Sequence, residues 1–169
     1  ATLDKLYDLE IDLNYIEPER LKDNVWFFYP DPRYNITFET QINYLRHHYQ
    51  KDMAKSAKIK TLDCPICIDN RELEHKKTLR VYEFELNAGQ DFFIQLTPYP
   101  LYKKHFVLIK KQHTPMYVSQ QSINDLIAFV DLAPDYTACS NSDIAWAGAS
   151  ILQHHHYQVF HQLTLPIES

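Results

Sequence analysis

Residues His154-His155-His156-Tyr157-Gln158 set three polar, chemically versatile side chains at every second position of a stretch that continues apolar through Val159 and Phe160. On a β-strand alternate side chains share one face, so His154, His156 and Gln158 point together while His155 and Tyr157 oppose them. Burying three such groups on one face is costly unless a metal, a phosphate or hydrogen-bonding partners meet them. The pattern therefore reads either as a strand with a polar, functional face or as a surface histidine run with adventitious metal affinity, and these five residues alone do not separate the two.

The rest of the chain supplies a sheet for that strand. Leu79, Val81, Phe84 and Leu86 lie among polar residues and end at Asn87-Ala88-Gly89-Gln90, after which Phe92 to Leu96 resumes, the pattern of a hairpin with Gly89 at positive φ. Phe106-Val107-Leu108-Ile109 reads as a further strand, as do Tyr136 to Cys139 and His154 to Phe160. Ser119-Gln-Gln-Ser122 before Leu126, Ile127, Phe129, Val130 and Leu132 predicts a capped helix ended by Pro134. The sum is an α+β domain, an antiparallel β-sheet with helices packed on one face.

Residues 1–55 read as an N-terminal helical and loop accessory segment. Leu3, Leu6, Leu9 and Leu13 predict a short helix, Pro18 to Pro32 a loop, and Ile42, Leu45, Tyr49 and Met53 an amphipathic helix over Glu39–Lys55. The domain proper is then 56–169.

Composition removes several functions. A net charge of -5 opposes sequence-independent nucleic-acid binding, which needs a basic surface. Gly89 and Gly148 are the only glycines, which excludes glycine-rich phosphate loops; bound phosphate must be held by side chains or ordinary backbone amides. No apolar run is long enough to span a bilayer and the N-terminus lacks signal-peptide character, so a soluble cytoplasmic protein is expected. Three cysteines, two of them in Cys64-Pro65-Ile66-Cys67, fit a disulfide framework poorly. The two-residue spacing lets both thiolates reach one tetrahedral zinc, with histidines completing the set, His113 and His154 being the best placed. A redox CxxC is the rival, but nothing before Cys64 reads as the strand that a thioredoxin-like setting requires. Cys139 reads as a buried thiol and His105 as a strand-start histidine with a backbone partner.

Taken in order, Cys64-Pro-Ile-Cys67, Phe93-Ile-Gln95-Leu-Thr-Pro98-Tyr99, His105-Phe-Val-Leu-Ile, His113-Thr-Pro115-Met116, Ser140-Asn141-Ser-Asp143 and Ala147 to Gln158 resemble the galactose-1-phosphate uridylyltransferase branch of the histidine-triad superfamily, in its Gram-positive-type version. The resemblance covers roughly residues 60 to 160 and resides in order and spacing more than in any one motif. It implies a histidine-triad-like fold and its N-terminal catalytic half.

The resemblance further implies that His156 attacks the α-phosphorus of a UDP-sugar, releases a sugar 1-phosphate and holds the uridylyl group until a second sugar 1-phosphate takes it. Covalent catalysis of this kind predicts ping-pong kinetics. Gln158 falls where hydrolytic members of the superfamily carry a third histidine; glutamine donates a hydrogen bond but cannot move a proton, which favours transfer over hydrolysis. Cys64, Cys67, His113 and His154 match the family's ligands to a structural zinc. Asn141 matches an asparagine that fixes the backbone around the nucleophile, and Ser150 lies near the phosphates, its other reading being a small residue packing under the strand. Full-length members have two related halves, so a homodimer or a longer two-half chain is expected. Two alternatives remain: a dinucleotide or nucleotide-sugar phosphorylase of the same superfamily, and a non-catalytic zinc-stabilised nucleotide-binding module.

Overall fold

The structure, a computed structural model, describes residues 2–44, 46, 64–72 and 76–163. Its strands are β1 (Val25–Asp31), β2 (Ile36–Ile42), β3 (Tyr82–Asn87), β4 (Gln90–Leu96), β5 (His105–Lys110), β6 (Tyr136–Ser140) and β7 (His156–His161), and its α-helices are α1 (Thr2–Asp12) and α2 (Gln120–Leu132). The last five strands form one antiparallel sheet in the order β3-β4-β5-β7-β6, and β1 and β2 form a separate two-stranded ribbon. This is the α+β class expected, with the capped helix, the hairpin and the catalytic-strand candidate in one sheet-and-helix unit.

Alternation along the strands divides the sheet into two faces. Ile94, Leu108 and Tyr157 stand side by side in register, as do Leu96, Phe106 and Val159, and α1 and α2 close over them with Leu6, Tyr7 and Phe129 in one core. Each such side chain contributes roughly 1.5–3 kcal/mol by leaving water, and Ile94, Leu108, Tyr157 and Val159 are wholly buried. Ser119 caps α2, its backbone N–H meeting Ser122 Oγ at 3.1 Å in a capping box. The opposite face is covered only in part: Phe93, Val107 and Ile109 pack against Ile66 and Ile68 of the Cys64–Cys67 region. The rest of that face carries His105, His156 and Gln158.

Gly89 closes the β3–β4 hairpin at φ +77°, as its position predicts. Two expectations in the first third fail. The Pro18–Pro32 stretch is a 3₁₀ turn at Pro18–Asp23 followed by β1, which holds Pro30 inside the strand. A two-stranded ribbon has a free edge on each strand, where a residue without an N–H costs nothing. The helix expected over Glu39–Lys55 is overturned where it can be seen, since Glu39 to Ile42 belong to β2; Ile36, Phe38, Thr40 and Ile42 alternate with period two, and the period-three matches from Ile42 onward were weaker evidence than that alternation. Residues 45 and 47–55 of that stretch lie outside the described residues, as does the expected boundary between 55 and 56. The helix α1 packs into the same core as the sheet. Among the described residues no helix is long and apolar enough to cross a membrane.

Candidate active site and metal centre

The strand β7 begins at His156, with His154 and His155 in the turn that enters it. That entrance is fixed by its backbone. The His155 N–H donates to the Thr114 carbonyl at 2.7 Å, the Lys110 N–H donates to the His155 carbonyl at 3.1 Å and the Met116 N–H to the Leu152 carbonyl at 2.8 Å. The N–H of His156 finds the sulfur of Met116 at 3.3 Å. The segment from Lys110 to Met116 thus holds the three histidines in place along one side.

His154 is wholly buried and gathers the cysteines. Its Nδ1 lies 3.2 Å from Cys64 Sγ and 3.4 Å from Cys67 Sγ, and Cys67 Sγ lies 3.0 Å from His113 Nδ1. The ligand atoms of Cys64, Cys67, His113 and His154 all fall within 4.8 Å of one another. Tetrahedral zinc with ordinary sulfur and nitrogen bond lengths needs ligand atoms about 3.3–3.8 Å apart, so the set is already close to that geometry.

Three further features fit a cation here. His154 Nε2 donates to the Lys110 carbonyl at 2.7 Å, which puts the proton on Nε2 and leaves the Nδ1 lone pair toward the thiols. Burial lowers the His154 pKa, keeping the imidazole in its neutral, ligating form. Burial and the adjacent Cys64 thiol raise the Cys67 pKa, so without a cation the Cys67 thiol stays protonated, whereas a dication reverses that balance. The turn itself is braced by Asn70 and Lys76, which donate to the carbonyls of Cys64 and Pro65.

His156 is 3% exposed and stands on the partly covered face beside Ile109, its register partner in β5. Its Nδ1 donates to the carbonyl of His154 at 2.8 Å, which leaves the Nε2 lone pair free of a proton. Asn141, just beyond β6, sets its amide Nδ2 at 3.2 Å from that Nε2. Burial lowers the His156 pKa, so the ring is neutral at pH 7. The arrangement is that of a nitrogen nucleophile with its tautomer set by the backbone.

Gln158 lies two residues on, on the same face, flanked by Val107 of β5 and Cys139 of β6. Cys139 is half-buried on this face and burial raises its pKa, so the thiol expected in a core is instead a neutral neighbour of Gln158. The Oε1 of Gln158 is 2.7 Å from His105 Nε2, a partner that sequence reading passed over. The structure therefore brings together His156, Gln158 and Asn141 in one place and Cys64, Cys67, His113 and His154 in another, joined through the His154–His156 backbone. Ser150 is exposed in the loop between β6 and β7, and among the described residues no hydrogen bond draws it to His156. That loop turns through Trp146 at φ +71° and Gly148 at φ +99°.

On the helix face, His155 and Tyr157 do the opposite work. His155 Nε2 meets the Tyr157 hydroxyl at 2.7 Å, and that hydroxyl donates to Asp125 of α2 at 3.0 Å. Asn87 and Gln121 donate to the other Asp125 oxygen at 2.6 and 2.9 Å. The network pins α2 to the strand that carries His156.

The chain is 32% identical over 162 residues to a galactose-1-phosphate uridylyltransferase of Clostridium acetobutylicum, covering 90% of this chain and 32% of that protein. It is 38% identical over 101 residues to galactose-1-phosphate uridylyltransferase 2 of Streptococcus pneumoniae, covering 56% of this chain and 20% of that protein. The chain spans about a third of the length of the first of these relatives. A solved structure, yeast Ap4A phosphorylase Apa2 in complex with AMP, matches 90% of this chain and 52% of its own at 12% identity with a TM-score of 0.46. The resemblance carried by residues 60 to 160 is thus met by curated relatives that bear the name of that family. Residues 33–161 match the family described as Domain of unknown function (DUF4922), and the chain belongs to that family.

Proposed function

We propose that this chain carries the nucleotidyl-transferring site of a hexose-1-phosphate uridylyltransferase, with His156 as the nucleophile. The observation that carries the reading is the 2.8 Å hydrogen bond from His156 Nδ1 to the His154 carbonyl. It leaves Nε2 as the lone-pair nitrogen, and it strengthens as the ring gains positive charge, so it stabilises the transition state more than the ground state.

In the first half-reaction Nε2 attacks the α-phosphorus of a UDP-sugar, the N–P bond forms, and the P–O bond to the sugar 1-phosphate breaks. A phosphate monoester has a second pKa of about 6, so it leaves as its dianion without a proton donor. In the second half-reaction an oxygen of the incoming sugar 1-phosphate attacks the same phosphorus and the N–P bond breaks. The Gln158 amide donates to a non-bridging oxygen of the transferring group and has no proton to give to or take from water. The Asn141 amide, which donates to Nε2 in the free site, gives up that hydrogen bond as Nε2 attacks and turns to an oxygen of the transferring group. Ser150 is assigned to the phosphates of the donor once the loop that carries it is filled by substrate.

Cys64, Cys67, His113 and His154 are proposed to hold zinc. When bound, a zinc with four protein ligands has no open position and acts structurally, tying the Cys64–Cys67 turn to the entrance of β7. Two thiolate ligands belong in a reducing compartment such as the cytosol. Residues 56–169 are assigned the histidine-triad-like fold, with 1–55 as its accessory segment, and the homodimer or two-half arrangement of the whole protein stands with this reading.

Isotope exchange tests it. Labelled glucose 1-phosphate incubated with UDP-glucose and the protein, with no second sugar phosphate, should pass label into UDP-glucose, because a covalent intermediate makes the first half-reaction reversible. Exchange in wild type and none in His156→Ala supports the reading. Label from inorganic phosphate appearing in UDP would make the enzyme a phosphorylase, since phosphate then takes the uridylyl group in place of the second sugar 1-phosphate.

A further inference from the structure

His105 opens β5 on the same face as Gln158 and takes no part in the chemistry above. It is 5% exposed, and its ring lies 4.3 Å from that of Phe160, its register partner in β7. The backbone N–H of Leu101 donates to its Nδ1 at 3.1 Å. A ring nitrogen that accepts carries no proton, so in the neutral ring the proton sits on Nε2. Burial pushes the His105 pKa down to about 4, and the ring is neutral at pH 7.

The consequence falls on Gln158. With the His105 proton on Nε2, the Gln158 atom 2.7 Å away must be the acceptor, Oε1; the flipped amide would bring two donors face to face. The amide NH₂ is then the end left for the site. An unanchored amide could instead turn its oxygen inward, where it would repel a phosphoryl oxygen and accept a hydrogen bond from water.

We infer that His105 is a positioning residue, which through the chain from Leu101 N–H to His105 to Gln158 Oε1 fixes the Gln158 amide with its NH₂ toward the phosphoryl group carried by His156. The inference rests on the reading of His156 as nucleophile and adds to it the reason why Gln158 acts as a donor only. The same orientation denies water an acceptor beside the intermediate and protects the uridylyl group from hydrolysis.

Two variants separate positioning from packing. His105→Phe keeps a ring against Phe160 and removes the donor, whereas His105→Gln loses the ring and offers an amide N–H near the place of Nε2. With UDP-glucose and the full chain, followed by intact mass, positioning predicts that H105F forms the uridylyl adduct about 10-fold more slowly and that H105Q stays within about threefold of wild type. H105F should add nothing further in a Gln158→Ala background. The reverse order, with H105Q the slower, or an H105F as fast as wild type, overturns the inference. Nitrogen-15 NMR of the wild-type histidines tests the premise without any variant: Nε2–H on His105 is expected, and Nδ1–H overturns it. An adduct on wild type with unchanged H105F sinks the inference alone; a folded wild type with no adduct removes the reading beneath it.

Discussion

The carbonyl of His154 accepts the Nδ1 proton of His156 at 2.8 Å, so the residue whose side chain faces the two cysteines also sets the tautomer of the proposed nucleophile through its backbone. His154 is in turn held by the Lys110 carbonyl. The proposed metal centre and the proposed nucleophile are therefore parts of one short rigid unit, and disturbing one should reach the other without any ligand being shared.

Metal removal is the direct consequence. Purified protein is expected to contain about one equivalent of zinc, and Cys64→Ser or Cys67→Ser should lose it and lower Tm by about 10 °C or more. Metal analysis and calorimetry check both. A Cys64→Ser protein as stable as wild type would mean that the four side chains are not a structural metal site.

Gln158→His should convert part of the transfer into hydrolysis, because an imidazole can take a proton from water where an amide cannot. Proton transfer by a positioned side chain is worth roughly 100-fold or more, so the lifetime of the uridylyl intermediate in the variant should fall by at least about 10-fold. Release of uridine monophosphate in the absence of an acceptor measures it.

Tyr157→Phe removes the hydroxyl that joins His155 to Asp125. It leaves a buried donor and a carboxylate oxygen without their partner, a loss of about 2 kcal/mol or roughly 5 °C in Tm. The effect should fall on stability first, since these groups lie on the helix face of the sheet, away from Gln158.

Glu10 provides a pH test of the core. Its carboxylate is wholly buried, with one oxygen accepting the Arg80 backbone N–H and the other without a partner among the described residues. Burial, partly offset by Arg80, pushes its pKa from the ordinary 4.5 up to about 7. Between those values the folded protein binds a proton that the unfolded chain has lost, so this contribution is fully present below about pH 4.5 and is lost as pH rises through about 7. Stability should fall across that window by up to about 3 kcal/mol, and Glu10→Gln should flatten the slope in denaturant titrations at several pH values.

Much of this was legible in the sequence for identifiable reasons. Alternation gave β3, short continuous apolar runs after turn signals gave β4 and β5, and the Ser119-to-Ser122 cap gave α2. The face shared by His156 and Gln158 followed from alternation, and the CxxC spacing led to the cluster with His113 and His154. What was not legible depended on pairing between distant segments. The ribbon of β1 and β2 was hidden because Pro30 and Pro32 read as loop punctuation, and a free ribbon edge is invisible to local pattern. His105 looked like a strand-start histidine with a backbone partner, which it has in Leu101. Its second partner, Gln158, lies diagonally across two paired strands and becomes visible only once the β5–β7 register is known.

The central claim, a uridylyl group carried on His156, is tested most directly by intact-mass spectrometry of metal-loaded wild type and His156→Ala after incubation with UDP-glucose, under conditions that preserve an acid-labile phosphoramidate. The account predicts a uridylyl adduct on wild type and none on the variant. A folded wild type that stays unmodified, or an adduct that persists on His156→Ala, would contradict it.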